Sequence, residues 1–241
     1  MIEIRRLSAL IELEEVERVE QLVWGFADRE LLPARFIVVA HRIGGHIFGA
    51  YDGSQLVGFC LALPGLKPDG CPYLHSHMLA VLPEYRNAGV GRRLKLRQRD
   101  DALARGIQPI EWTFNPLEIK NAFLNIERLG AIVRRYLENQ YGTSSSPLDR
   151  GLPTDRCVAE WCIQSPRVEA IIGGGKLAHR TVERIAVPAD LERIQRQEPG
   201  RAREIQRANA ALFQECFARG LAVTGFERTP DAGVYLLEAW P

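Results

Sequence analysis

Residues 75–91, with the sequence HSHMLAVLPEYRNAGVG, carry the strongest structural signal in this chain. The run predicts an apolar strand, a turn, a loop with two glycines and then the start of a helix. The first backbone N–H groups of a helix have no partner inside the helix, and the helix dipole adds partial positive charge there. Gly89 and Gly91 lack a Cβ atom, so the backbone can turn sharply and approach an anion closely. This order of elements predicts a site for a ligand that carries a pyrophosphate.

Two common phosphate-binding patterns do not fit this loop. A Walker loop would place Lys and then Ser or Thr after its second glycine, whereas Gly91 is followed by Arg92 and Arg93. A dinucleotide fingerprint would place a third glycine at the position of Leu94. The pattern that remains is Arg-x-x-Gly-x-Gly, which begins at Arg86.

Five basic residues fall in the first turns of the helix that follows the loop. The helix dipole disfavours cations at this end, so a bound polyanion would account for their placement. A solvated basic face is the alternative, because two aspartates follow. The basic residues are Arg92, Arg93, Lys95, Arg97 and Arg99.

Strand and helix patterns alternate on both sides of the loop. A β-hairpin before it, predicted from the turn at Asp52-Gly53, favours a mixed sheet over a parallel one. We therefore predict the α/β (α+β) class, with a mixed, mostly antiparallel central sheet flanked by helices. The predicted strands cover residues 2–7, 48–51, 56–63, 73–81 and 109–114, and the predicted helices cover 10–26, the segment from the glycine loop to about 106, and 117–129.

Composition restricts the classes of partner. The chain has 241 residues, 46% of them hydrophobic, and a formal net charge of +1, which argues against a nucleic-acid binder with a broad basic surface. No apolar run reaches the roughly 18 residues of a membrane span, and no signal-peptide pattern is present. We therefore expect a cytoplasmic protein without a membrane partner. The five cysteines contain no Cys-x-x-Cys pair, so neither a metal site nor a disulfide framework is expected.

The Arg-x-x-Gly-x-Gly loop and the Val81-Leu82-Pro83 run before it resemble the coenzyme A loop of the GNAT acyltransferases. The later run NAFLNIERLGA, residues 121–131, is similar to the GNAT helix that packs beside the cofactor arm. The resemblance covers residues 1 to about 140 and implies a GNAT fold that uses acetyl-CoA, or another acyl-CoA such as succinyl-CoA. It implies pantetheine contacts for Met78, Leu79, Ala80 and Val81, pyrophosphate contacts for Arg86, Asn87, Ala88, Gly89, Val90, Gly91 and Arg92, and coenzyme A contacts for Asn121 and Asn125.

Residues beyond the resemblance form an extension. A helix over 200–219 and a hairpin of 221–226 with 234–237 are predicted there. We expect a GNAT acyl-CoA-binding catalytic domain over 1–165 and a C-terminal α+β extension over 166–241. The extension either docks on the core, which we favour, or forms a small subdomain.

Acyl transfer from a thioester to an amine needs a group that accepts the amine proton. His75 and His77 stand two residues apart on a predicted strand, so their imidazoles share one face of the sheet just before the pantetheine segment. An imidazole has an ordinary pKa near 6.5, which suits proton acceptance at neutral pH. The run resembles the His-x-His strand of the serotonin N-acetyltransferase branch, where paired histidines relay the substrate proton. Packing of the rings within the sheet is the alternative.

Three further residues are candidates for proton transfer. Glu111, on the next predicted strand, is the rival base, since many GNATs use a strand carboxylate there, and an edge or surface carboxylate is the alternative interpretation. The same resemblance makes Tyr136 and Tyr141 the candidates for the general acid, and their spacing prefers neither.

Residues 141–156 are predicted to form a long polar loop. Its Tyr-Gly and Gly-Leu-Pro-Thr-Asp-Arg runs resemble a bacterial GNAT branch with an extended C-terminus, of which some members occur with N-acylamino acid metabolism. That link suggests an amino acid or a similar small amine as the acceptor. Arg150 and Arg156 could pair with a substrate carboxylate, and ion pairs with Asp149 or Asp155 are the alternative.

The leading hypothesis is an acyl-CoA-dependent N-acyltransferase that moves an acetyl or succinyl group to the amine of a small molecule. The paired histidines favour this enzyme over a non-catalytic acyl-CoA-binding sensor or scaffold. The long loop and the extension favour it over a protein-lysine acetyltransferase, which needs an open groove for a peptide. A small-molecule amine is the expected partner, and the sequence leaves a homodimer open.

Overall fold

The computed structural model describes residues 1–142 and 144–240, so Thr143, in the predicted loop over 141–156, lies outside the described residues. Tertiary contacts divide the chain into two units, Met1–Trp112 with Ser145–Leu148 and Thr113–Ser144 with Asp149–Pro241. The boundary predicted at residue 165 falls inside the second unit. The division into a catalytic domain and an extension therefore stays a prediction, and each unit is described separately.

The first unit is built on a mixed sheet. Its strands are β1 (Ile2–Arg6), β2 (His46–Asp52), β3 (Gln55–Leu66), β4 (Pro72–Val81) and β5 (Ile110–Phe114), of which β5 begins in this unit. They follow the order β1-β2-β3-β4-β5, and each neighbouring pair is antiparallel except β4 with β5, which is parallel. The predicted α/β class with a mostly antiparallel sheet is confirmed.

Three helices belong to the first unit: α1 (Leu10–Trp24), α2 (Ala34–Arg42) and α3 (Val90–Ala104). Helix α1 buries Leu13, Val16 and Val19 at helical spacing and ends at Gly25, whose φ of 61° lies in the left-handed region. Helix α2 lies outside the predicted helices, although its buried residues Ala34, Ile37 and Ala40 follow helical spacing.

The second unit contains an antiparallel sheet in the order β7-β6-β9-β10-β8. These strands are β6 (Ile132–Leu137), β7 (Arg156–Trp161), β8 (Glu183–Pro188), β9 (Leu221–Arg228) and β10 (Ala232–Ala239). The helices are α4 (Ile119–Phe123), α5 (Pro166–Ile172), α6 (Leu191–Gln197) and α7 (Pro199–Ala218). The predicted C-terminal helix and hairpin appear as α7, β9 and β10.

Two features of the second unit refine the predictions. The helix predicted over 117–129 is present over residues 119–128, although its second half is π-helical, since α4 ends at Phe123 and a π-helical turn follows over Leu124–Arg128. The terminal hairpin joins the sheet of the preceding residues, since Val223 of β9 pairs with Val133 of β6. Residues on both sides of the predicted boundary therefore share one sheet.

Candidate active site

The glycine loop connects β4 to α3. Gly89 precedes the helix with a φ of 77°, in the left-handed region that favours glycine. The first helical hydrogen bond runs from the N–H of Arg93 to the C=O of Gly89 at 3.0 Å, so the N–H groups of Val90 and Gly91 lie before the helical ladder, in a position suited to an anion. Arg86 Nε donates to the C=O of Val81 at 3.0 Å, which ties the loop to the end of β4.

Basic residues of α3 contact other parts of the protein. Lys95 is only 2% exposed. Arg93 donates to the C=O of Ile2 at 2.8 Å, and the guanidinium of Arg97 lies 4.8 Å from the ring centroid of Phe48. The expectation that this basic run faces a bound polyanion is therefore wrong for Lys95.

A β-bulge in β4 occurs at His77. Ser76 and Met78 pair with consecutive residues of β3, so His77 is the extra residue in the ladder. The ring centroids of His75 and His77 lie 6.0 Å apart. The structure thus brings the two histidines together, although the bulge interrupts the strict alternation on which the sequence argument relied.

The surroundings of the two histidines favour their neutral forms. Burial lowers the pKa of His75, and the nearby His77 lowers it further; Glu111 opposes these effects, and Lys95 makes the smallest contribution, which also lowers the pKa. Surrounding protein also lowers the pKa of His77, although part of that side chain is exposed. Each imidazole can therefore accept a proton at neutral pH.

Glu111 lies beside His75, because the parallel ladder of β4 and β5 places the two residues opposite each other. Glu111 is 5% exposed, and its carboxylate accepts a hydrogen bond from Lys67 Nζ at 2.5 Å. The interpretation of Glu111 as a surface carboxylate is therefore wrong. Its charge is partly compensated by the Lys67 ammonium.

The two candidate tyrosines belong to the second unit and differ in environment. Tyr136 is half-buried and donates its hydroxyl to Asp155 Oδ2 at 2.8 Å; burial and this carboxylate raise its pKa well above the ordinary value. The Tyr141 hydroxyl lies 2.7 Å from Thr113 Oγ1, and the Tyr141 side chain is exposed. Neither geometry assigns the general acid, which stays a prediction.

The predicted substrate arginines have partners within the second unit. Arg150 donates to Glu192 Oε1 at 2.8 Å. Arg156 donates to the C=O of Asp155 at 2.9 Å and lies 3.5 Å from Asp149 Oδ1. The predicted alternative of an ion pair with Asp149 is thus present for Arg156, whereas Arg150 has a different partner, Glu192, and the role of both side chains toward a substrate stays a prediction.

The two predicted cofactor asparagines are not equally accessible. Asn121 is exposed on α4, whereas Asn125 is 3% exposed within the π-helical turn. Within residues 1–142 and 144–240, Asn125 Nδ2 is among the buried polar atoms that have no hydrogen-bond partner. Of the two side chains, Asn121 is therefore the one that is accessible to a cofactor.

Two polar residues of α3, Lys95 and Gln98, are buried, which the run of basic residues did not indicate. Lys95 belongs to the basic run predicted to be solvated or to face a ligand, yet it is buried on α3 together with Gln98 and Ala102. These positions follow the spacing i, i+3, i+7, so the helical period was the signal that could have placed Lys95 inside.

Residues 44–123 match the family model of the acetyltransferase (GNAT) domain. This segment is therefore a GNAT acetyltransferase domain, which agrees with the predicted family, fold and enzyme class, an N-acetyltransferase. No curated protein matches the chain in a sequence search.

Solved structures share the fold at low sequence identity. Arabidopsis thaliana NAA60 in complex with acetyl-CoA has a TM-score of 0.57 and 15% identity, over 68% of this chain and 100% of that one. The ribosomal-protein-S18-alanine N-acetyltransferase from Escherichia coli has a TM-score of 0.53 and 18% identity, over 68% and 96%. Arabidopsis thaliana Naa50 with the bisubstrate analogue CoA-Ac-MVNAL has a TM-score of 0.51 and 16% identity, over 66% and 97%.

Among the described helices, none is long and apolar enough to cross a membrane. The described residues also contain no group of three or more His, Cys, Asp or Glu side chains placed to hold a metal ion.

Proposed function

We propose that this chain transfers the acetyl group of acetyl-CoA to the amine of a small molecule, with succinyl-CoA as the alternative donor. The observation that carries the proposal is the position of the paired histidines on β4, directly before the glycine loop of a GNAT domain. The bound acetyl-CoA of Arabidopsis NAA60 supports the choice of donor. The amine acceptor rests on the resemblance of the 141–156 loop described above.

The loop would hold the pyrophosphate through the first N–H groups of α3 and the exposed residues 86–89. The proposed pantetheine segment is Met78 to Val81, the part of β4 that follows the bulge. An extended pantetheine arm has amide groups that can bond with a strand edge in the manner of an added strand. The thioester would then lie near His77.

The neutral amine attacks the thioester carbonyl, a C–N bond forms, and the C–S bond breaks to release coenzyme A as a thiolate. We assign the proton from the attacking nitrogen to the imidazole of His77, with His75 as its neighbour in a relay. Glu111 beside His75 is the competing base, and its ion pair with Lys67 favours a supporting role. Tyr136 and Tyr141 are the candidates to protonate the leaving thiolate.

The first test is thiol release from acetyl-CoA and succinyl-CoA against a panel of amino acids, other small amines and peptides. We expect turnover with small amines. Turnover confined to peptides would show that the acceptor is a peptide and not a small molecule. Binding of coenzyme A without turnover on any amine would favour a non-catalytic sensor over an enzyme.

The second test is on the base. His77→Ala should lower kcat by roughly 10²-fold, because general bases contribute on that scale. His75→Ala and Glu111→Gln, measured over pH 5–9, rank the competitors, and His179→Ala in the second unit is the matched histidine control. A near-wild-type rate and pH profile for His77→Ala would remove His77 as the base.

A further inference from the structure

Lys95 is a buried lysine with an unusual set of partners. Its side chain is 2% exposed, and Nζ lies 2.8 Å from Ser76 Oγ and 3.1 Å from Gln98 Oε1. The same atom lies 3.5 Å from the ring centroid of Trp112, a cation–π distance. Burial of an ammonium group is costly, and it lowers the pKa of Lys95 to about 7. A methionine would fill a similar volume without this cost, so the buried amine calls for an explanation.

The positions of Ser76 and Trp112 in the sheet supply an explanation for the buried lysine. In the described residues, the parallel ladder of β4 and β5 consists of Leu74 opposite Ile110 and His75 opposite Glu111. Ser76 and Trp112 are the next residues along the two strands. Lys95 therefore contacts each strand at the first residue beyond the ladder.

We propose that Lys95 is a positioning residue that fixes the point where β4 and β5 separate and thereby holds His75 opposite Glu111 for acetyl transfer. This inference rests on the proposed function. The contact with Ser76 acts on the residue between the two histidines, immediately before the bulge. A supporting side chain of this kind keeps reactive groups in the geometry that they need.

The charge of Lys95 also reaches His75. It lowers the pKa of the imidazole, so the two groups are coupled electrostatically as well as through the strand. Among the neighbours of Lys95 are three groups that carry little charge near neutral pH: the Gln98 amide, the Trp112 ring and the thiol of Cys60 on β3, whose pKa is raised to about 12 by burial. Removal of the lysine charge should therefore raise the pKa of His75.

The test compares Lys95→Met with Lys176→Met, which removes an exposed lysine from the second unit. NMR titration of the His75 ring signals in the protein without substrate should give a higher pKa in Lys95→Met and the wild-type value in Lys176→Met. In the acetyl-transfer assay, kcat of Lys95→Met should fall by about tenfold or more, since small misplacements of reacting groups are costly, while Kd for coenzyme A changes little.

Both changes are needed for support. An unmoved His75 pKa in folded Lys95→Met protein, or a wild-type kcat, would overturn the inference. If Lys95→Met does not fold, the variants Ser76→Ala and Ser76→Thr test the contact from the other side. A lower kcat in Ser76→Ala that is restored in Ser76→Thr supports the inference, and equal kcat values in the two variants overturn it. The titration needs no substrate, so the two ideas can fail separately. Absence of acetyl transfer by the wild-type chain would contradict the proposed function, whereas an unchanged His75 pKa in Lys95→Met would contradict the inference about Lys95.

Discussion

Buried ionisable side chains determine the protonation chemistry of the first unit. Burial raises the pKa of Glu20 to about 7 and lowers that of His46 to about 4, in addition to its effect on Lys95. Each shift favours the neutral form, because removing a charge from water is costly. Glu20 offsets part of that cost by accepting the N–H of Leu32 at 3.1 and 3.2 Å. The charge states of this unit near pH 7 therefore depend on its packing.

His46 gives the clearest consequence for stability. Its Nδ1 lies 2.9 Å from Asp101 Oδ2, and Arg6 and Arg105 also reach Asp101. Because its pKa in the folded chain is about 4, against about 6.5 unfolded, its neutral form stabilises the fold above pH 6.5. As the pH falls from 6.5 toward 4, the unfolded chain takes up the proton first, and stability is lost by up to about 1.4 kcal/mol per pH unit.

His46→Asn is the matched variant, because the asparagine amide can still donate to Asp101 but does not titrate. Urea unfolding at pH 7 and pH 5 should show a loss of unfolding free energy that is about 2 kcal/mol smaller in the variant than in the wild type. Parallel pH dependence of the two proteins would contradict the assignment.

β4 combines three structural features in ten residues. It pairs antiparallel with β3 along its length, in parallel with β5 at Leu74 and His75, and carries the bulge at His77. The strand then ends in the glycine loop. One element thus supplies the proposed base, the proposed pantetheine edge and the anion-binding turn, so their relative positions are set by a single stretch of backbone.

The glycine loop allows a controlled substitution. Gly89 and Gly106 have φ values of 77° and 63°, and a Cβ at either would meet nothing within 4 Å. Alanine at either position should lower the unfolding free energy by about 1 kcal/mol through backbone strain alone. Only Gly89→Ala should weaken the binding of coenzyme A, with a Kd about tenfold higher, since only that residue begins the anion site. Calorimetric Kd values that are equal in the two variants would exclude the loop as the pyrophosphate site.

Local signals in the sequence predicted β4, the loop and α3, because the glycines, the apolar period and the helix start all lie within 30 residues. They did not predict the bulge at His77, which depends on the register with β3. The helical period of α3 could have placed Lys95 inside, but local signals do not identify its partners, because Ser76 and Trp112 lie on two other strands. Strand register and contacts between separate elements have no local pattern.

The division of the chain into units also depends on contacts between segments that are distant in the sequence. The sequence changes character after Trp161, so a boundary near residue 165 was reasonable. In the folded second unit, however, β6 depends on residues far beyond that point: Val133 pairs with Val223, and the Tyr136 ring stacks on Phe213 with centroids 5.6 Å apart. Changes in composition reveal where a segment begins but not which strand it will join.

A fragment that ends at residue 165 tests this conclusion. It would lack Phe213, Phe226 and Tyr235, which form a buried aromatic cluster with ring centroids 4.7 and 5.1 Å apart. Burial of each such side chain contributes about 2 kcal/mol, and the sum is comparable to the net stability of a typical domain, about 5–15 kcal/mol. We expect the fragment to lose the cooperative thermal transition of the second unit in calorimetry. Phe213→Ala in the full chain should lower the unfolding free energy of that unit by about 3–5 kcal/mol. A fragment that unfolds cooperatively and retains the full chain's Kd for coenzyme A would instead restore the boundary at 165 and make the remaining residues a dispensable extension.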